Sequence, residues 1–186
     1  MTYRRSHPSQ RGFSMLEVLI AVLVFSLGII GLAGLLIFAI QSNHVAYLRT
    51  QATFLAHNMA DRMSANPVGL WNGNYNINTI LAPGAAVPSC AAGCTPEALA
   101  THDIAAWSQQ LNTFLPNAKG SINCSTANLA YLPTPAQIAN RPPYGGTCQM
   151  VLTWNEAGSA GAARQGQLAP GSTGQQSHTF AWVFQP

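Results

Sequence analysis

Near its N-terminus the chain reads Arg11-Gly12-Phe13-Ser14-Met15-Leu16-Glu17, and an uncharged apolar run follows over residues 18–40. At about 1.5 Å per residue, a helix over this run is about 35 Å long, which is enough to cross the hydrocarbon core of a bilayer. Glu17 stands at the front edge of the run. A carboxylate in lipid is costly, so an acid at this position indicates a functional site with a positively charged partner.

Gly12 is small and separates a short basic leader from the apolar run. A peptidase at the membrane surface can accept such a residue in an extended chain. Cleavage after Gly12 would make Phe13 the new N-terminus, four residues before Glu17, and positions four apart share a helix face. The sequence therefore predicts that Glu17 pairs with an N-terminal amine, either its own or that of a neighbouring copy.

This stretch resembles the class III signal of type IV prepilins and pseudopilins, on the residues Gly12-Phe13-Ser14-Met15-Leu16-Glu17-Val18-Leu19-Ile20-Ala21. The resemblance implies that a prepilin peptidase cleaves between Gly12 and Phe13 and N-methylates Phe13. It also implies that Glu17 registers the subunit in a filament. A secretory signal peptide fits less well, because its apolar core is about 7–15 residues long and its cleavage site follows that core. A plain membrane anchor explains the length of the run but not Glu17.

The charge distribution argues against a nucleic-acid partner. Only 7% of the residues are charged, and three of the eight basic residues lie in the leader. The remaining five basic residues balance the five acidic ones. A nucleic-acid-binding surface needs clustered Lys and Arg, so neither DNA nor RNA is expected as a partner.

The leader arginines predict the orientation of the chain. Arg4, Arg5 and Arg11 precede the first apolar segment, and positive charge there holds that end in the cytoplasm. We therefore expect a single-pass inner-membrane protein with a cytoplasmic N-terminus and a periplasmic C-terminal domain, which later becomes part of a pilus.

Four cysteines agree with an oxidising compartment: Cys90, Cys94, Cys124 and Cys148. An even count in an exported domain favours disulfides, and four cysteines permit three pairings. The pairs Cys90–Cys94 and Cys124–Cys148 are favoured because a short, flexible spacer separates the first two. A zinc site is the alternative, but it lacks a second cysteine pair or a matching histidine pair, so no metal is expected.

Helical periodicity continues beyond residue 40. Apolar residues recur at spacings of three and four, namely Val45, Leu48, Ala52, Leu55, Met59 and Met63. One helix is therefore predicted over about residues 14–65, ending before Pro67. The predicted divisions are a leader (1–12), a membrane or filament-core half of the helix (13–40), an amphipathic half (41–66) and a globular periplasmic domain (67–186).

Further elements follow from local patterns. Thr95-Pro96-Glu97 predicts the start of a helix that reaches about residue 115, with Trp107 in the core and Asp103 at the surface or in a local hydrogen bond. Period-two alternation predicts strands at 150–154 and 178–184, joined by a loop over 157–177 to which no role is assigned. Further strands are predicted around 75–80, 120–124 and 128–132, with 68–88 otherwise loop.

These elements predict an α+β fold, in which the amphipathic half of the long helix covers a small C-terminal antiparallel sheet. The architecture resembles the pilin fold. Four stretches also resemble the PilV-type minor pilins (type IV pilus modification proteins): residues 57–66, Cys94-Thr95-Pro96, residues 103–107 and residues 151–154.

The chain shows no phosphate-binding loop, no H-E-x-x-H sequence and no G-x-S-x-G sequence. Its five histidines are scattered, and acidic residues are too few to suggest paired acid–base catalysis. We expect no enzyme activity, no cofactor and no small-molecule substrate.

The resemblance implies a structural role in initiating assembly of a type IV pilus and in functions at its tip, such as adhesion and twitching motility. The implied partners are the prepilin peptidase, other minor pilins, the major pilin and the inner-membrane assembly platform. A minor pseudopilin of a type II secretion system shares the same N-terminal signal and is the alternative. A periplasmic binding module on an ordinary anchor is a third hypothesis.

Overall fold

The computed structural model describes residues 12–157 and 175–186. The predicted leader, apart from Gly12, and most of the predicted loop at 157–177 lie outside the described residues. The chain divides into two compact units, Met1–Ser42 and Asn43–Pro186. Because that division falls within the long helix, the four-part organisation predicted from the sequence stays a prediction.

The long N-terminal helix, α1, spans Met15–Ala65 and confirms the element predicted from periodicity. It contains no proline and is rich in Leu and Ala, which lose little conformational freedom in a helix. It ends just before Asn66 and Pro67, since the residue before a proline is disfavoured in helical geometry.

Three shorter helices follow: α2 over Pro67–Trp71, α3 over Pro96–Phe114 and α4 over Pro135–Ile138. Helix α3 begins as predicted, because the Thr95 hydroxyl accepts a hydrogen bond from the Ala98 N–H at 3.2 Å. Helix α2 was not predicted.

The sheet has three antiparallel strands in the order β1-β2-β3: Lys119–Ser125, Thr147–Ala157 and Gln175–Phe184. Two predicted strands are wrong. Around residues 75–80, the described structure has a single bridge, from Ile77 to Ile122, with a turn at residues 72–75 before it and a bend at residues 78–79 after it. Residues 128–132 instead leave the sheet through a turn closed by Leu129 N–H to Thr126 C=O at 3.0 Å.

The core of unit Asn43–Pro186 lies between the sheet, α3 and the second half of α1, as predicted. Helix α1 contributes its buried face, which consists of Leu48, Ala52, Leu55, Ala56, Met59, Ala60 and Met63. From α3, Trp107 is fully buried and donates its indole N–H to the Leu55 carbonyl at 2.9 Å. This hydrogen bond links α3 to α1 and satisfies the N–H of the buried indole.

Candidate functional site

The predicted cleavage site is accessible. Residues 12–14 precede α1 and have no regular secondary structure. Phe13 is 83% exposed, and a Cβ on Gly12 would meet nothing within 4 Å. Residues 12 and 13 are therefore open to a peptidase that binds extended chain.

Glu17 lies in the first turn of α1 and is exposed. The Ser14 carbonyl accepts hydrogen bonds from the backbone N–H groups of Glu17 and Val18, at 3.0 and 3.3 Å. A negative charge at this end of a helix is favoured by the helix dipole. Phe13 precedes the helix, so it does not share a helix face with Glu17 here. The predicted pairing of Glu17 with an N-terminal amine therefore stays a prediction.

The apolar residues that follow are uncovered in the unit Met1–Ser42. Between residues 13 and 40, the exposed large hydrophobic side chains range from 50% (Ile29) to 85% (Met15). This part of α1 is long and apolar enough to cross a membrane, judged by length and composition. So extended an apolar surface marks an interaction with a membrane or another protein.

A second group of functional interest lies in the other unit, where α1 ends, and three of its four residues are buried. We call Arg62, Asn66, Tyr75 and Asp103 the polar cluster. Arg62 Nη1 lies 3.2 Å from Asp103 Oδ1, and the Tyr75 hydroxyl donates to Asp103 Oδ2 at 2.8 Å. Asn66 Nδ2 donates to the Tyr75 hydroxyl oxygen at 3.1 Å.

Asn66 also ties the cluster to the helix starts around it. Its Nδ2 donates to the Pro96 carbonyl at 2.7 Å, and its Oδ1 accepts from the Gly69 N–H at 3.1 Å. A Cβ on Gly69 would collide with the Asn66 side chain. The cluster therefore fixes the end of α1 against the first turns of α2 and α3.

Burial dominates the electrostatics of the cluster. Desolvation raises the pKa of Tyr75 well above its ordinary value of 10.0, although the hydrogen bond from Asn66 opposes this shift. The phenol therefore stays neutral and acts as a hydrogen-bond donor to Asp103. Since its acceptor is a carboxylate, this hydrogen bond is among the stronger kinds.

The environment predicted for Asp103 was wrong. The residue is 5% exposed, and its ion-pair partner Arg62 lies on another helix. No local pattern links the two, because they are 41 residues apart. Tyr75 was also missed; a lone tyrosine within an Asn- and Gly-rich segment was the available sign.

The cysteines form the pairs Cys90–Cys94 and Cys124–Cys148, which is the pairing favoured from the sequence. Cys124 and Cys148 stand directly opposite each other on β1 and β2. This second disulfide therefore links two strands that already pair. The first closes a short loop just before the Thr95 cap of α3.

Among the described residues, no group of three His, Cys, Asp or Glu side chains is placed to hold a metal ion. His102 Nδ1 lies 2.6 Å from the Pro88 carbonyl, and His57 packs on Trp182 with ring centroids 4.5 Å apart. These two contacts occur at separate places on the domain.

Comparison with known proteins identifies the N-terminal site. Residues 7–33 match the family described as "Prokaryotic N-terminal methylation motif". The chain therefore carries a type IV prepilin-like signal, which indicates a pilin-like or pseudopilin-like protein and supports membrane anchoring. Chains with this motif are structural rather than enzymatic, and the motif is typical of processing by prepilin peptidase. No curated protein and no solved structure matches the chain significantly.

Proposed function

We propose that this chain is a minor pilin of the PilV type. In this proposal, prepilin peptidase cleaves it after Gly12 and methylates Phe13. The inner membrane then holds it until it enters a type IV pilus at or near the tip. The observation that carries the proposal is the methylation motif, placed before a helix surface that the described chain leaves uncovered. In a pilus, the same surface would pack against neighbouring subunits.

Glu17 has a specific role in this assembly. Once the apolar half of α1 leaves the membrane for a filament, the exposed carboxylate becomes surrounded by apolar side chains. An unpaired buried charge is costly, whereas one paired with an amine is tolerated. The Phe13 amine of an adjacent subunit would be that partner, so pairing would occur only when the two helices are in the correct register.

The PilV assignment is supported by where its residues lie. Three of the resembling stretches contribute to the polar cluster or contact it: residues 57–66 supply Arg62 and Asn66, residues 103–107 supply Asp103, and Pro96 accepts from Asn66. The fourth stretch lies on β2, and its Leu152 and Trp154 are buried. Three of the four resembling stretches therefore meet at one place in the domain.

The test compares the native chain with Glu17→Ala and with Asp61→Ala, which removes another exposed acid of α1. Intact mass spectrometry of sheared pili reports cleavage, methylation and location together. Glu17→Ala should be cleaved and inserted normally but recovered in pili at least about tenfold less, the ratio that corresponds to about 1.4 kcal/mol. Asp61→Ala should be incorporated like the native chain.

Normal incorporation of Glu17→Ala would contradict the registration role. An uncleaved N-terminus in the native chain would exclude both pilin and pseudopilin, leaving a binding module on an ordinary anchor. Recovery of the methylated chain from a type II secretion complex and not from pili would identify it as a minor pseudopilin.

A further inference from the structure

The two edges of the sheet differ in how they are protected. On the outer side of β1, Ile122 exchanges two backbone hydrogen bonds with Ile77, both 2.9 Å long. The Cys124 N–H donates to the Asn76 side-chain oxygen at 2.7 Å. This edge is therefore partly closed by the chain itself.

The other edge is β3, and within the described residues no segment pairs with its outer side. The strand covers Gln175–Phe184 and contains no Asp, Glu, Lys, Arg, Pro or Gly. Proteins normally protect an edge strand of this length with charges, prolines or bulges, because an unprotected edge pairs with other chains. Because β3 contains no charged residue and no proline, we expect its outer edge to bind another chain.

The ladder shows which groups of β3 are available. Ile122 of β1 directs its backbone N–H and C=O to Ile77, away from β2. Its partner on β2, Met150, therefore directs its own N–H and C=O away from β1, to Trp182 on β3. Along an antiparallel strand this direction alternates. The backbone groups of Thr179, Ala181 and Val183 therefore point away from β2.

A cleft of about 370 Å³ lies between α1 and the strands β2 and β3. It is lined by Arg49 and Thr53 of α1, by Trp154 of β2 and by His178, Thr179 and Phe180 of β3. Phe180 and its neighbour Trp182 are only partly buried against the core. An added strand would lie about 4.8 Å from β3, so its inward side chains would cover these aromatic rings.

Charge indicates the kind of strand that fits. Arg49 is exposed and forms no ion pair with a described residue, so a carboxylate on the incoming strand would complement it. A second copy of this chain lacks a suitable segment. Its five acidic residues lie on α1, α3 and the already paired β2, at Glu17, Asp61, Glu97, Asp103 and Glu156.

We propose that the outer edge of β3 binds an extended segment of a different protein by strand addition. That segment presents apolar side chains to Phe180 and Trp182 and a carboxylate to Arg49. The backbone groups of Thr179, Ala181 and Val183 supply the hydrogen bonds, and the cleft selects the side chains. This interaction concerns the surface of the domain and does not depend on assembly into a pilus.

The test uses the full chain in the cells that produce it. Val183→p-benzoylphenylalanine places a photo-crosslinker on the exposed face of β3, and Asn123→p-benzoylphenylalanine places a matched one on β1, where the edge is covered. Irradiation should give an adduct with one other protein at position 183 and none at 123. The adduct should map to an extended segment that contains Asp or Glu.

Two second-site variants test the mode of binding. Ala181→Pro removes an outward N–H without touching the bonds to β2, and Arg49→Glu reverses the charge. Each should lower the adduct yield at position 183, by about fivefold for the lost hydrogen bond and by about two- to fivefold for the reversed charge. Non-reducing mass analysis verifies that both disulfides have formed. If Ala181→Pro does not form both disulfides, the Arg49→Glu variant, which changes an exposed residue, provides the test of the binding mode.

Four outcomes would overturn the proposal: equal adducts at positions 183 and 123, no adduct at either, an adduct with a second copy of this chain, or an adduct that a correctly folded Ala181→Pro or Arg49→Glu leaves unchanged. None of these outcomes depends on Glu17 or on cleavage at Gly12. Failure here is therefore distinguishable from failure of the proposed pilin function.

Discussion

The two parts of α1 have the same secondary structure but opposite relations to the rest of the chain. In unit Met1–Ser42, the large apolar side chains of the helix are exposed, whereas in unit Asn43–Pro186 seven residues of the same helix are buried. The second part is amphipathic and is stabilised by its own domain. The first part is apolar on all sides, so its stabilising contacts must come from outside the described chain.

The comparison also separates two kinds of polar residue. Glu17, in the first part, is exposed and has no partner among the described residues. Arg62, in the second part, forms the ion pair found in the described structure, with Asp103. A polar group satisfied within the chain acts on folding, whereas one left unsatisfied beside an apolar surface is available for assembly.

Gly12→Val should have the largest effect and should act on the first part alone. The branched side chain restricts the backbone at the cleavage site, so we expect complete loss of processing and retention of the leader. The domain should fold unchanged and form both disulfides. Intact mass spectrometry measures both results, and a native N-terminus at Phe13 in this variant would contradict the cleavage assignment.

Leu55→Ala and Leu23→Ala compare the same substitution in the two parts of the helix. Leu55 is 1% exposed and Leu23 is 61% exposed. Leu55→Ala should lower the free energy of unfolding of the domain by about 2–5 kcal/mol, whereas Leu23→Ala should change it by less than about 0.5 kcal/mol. Denaturant titration of the full chain in detergent, followed by tryptophan fluorescence, measures the domain, because all four tryptophans lie after Ser42. Equal changes in the free energy of unfolding would contradict the conclusion that the second part of α1 is packed in the domain core and the first part is not.

Asp103→Ala should have a smaller effect than Leu55→Ala, about 1–3 kcal/mol, because it removes the acceptor of both Arg62 and Tyr75. The double variant Arg62→Met/Asp103→Ala should lose less stability than the sum of the losses in the two single variants, since the two residues share one interaction. Asp61→Ala is the control, with an exposed acid removed from α1. Additive effects, measured by the same titration, would show that the ion pair does not couple the two helices.

Local patterns predicted α1, α3 and the three strands of the sheet, but they missed α2 and α4 and predicted two strands that the described structure lacks. The boundaries of α1 and α3 follow from periodicity and capping residues, which act over a few neighbours. The strands β2 and β3 were predicted at 150–154 and 178–184 but extend over Thr147–Ala157 and Gln175–Phe184. The predicted strand around 75–80 was wrong because Asn76 and Ile77 contact the edge of β1 through one side chain and one bridge. Asp103 was misplaced because its partners lie on α1 and in the segment after α2.

The sequence by itself determined the N-terminal motif, the apolar run, the helices α1 and α3 and the presence of β1–β3, because each depends on residues adjacent in the chain. Only the tertiary structure decided that Arg62, Asn66, Tyr75 and Asp103 form one cluster, and that the edge of β1 is partly covered whereas no described segment pairs with the edge of β3. These features depend on groups many residues apart. Their positions follow from how the second part of α1 packs on α3 and the sheet, which no local pattern specifies.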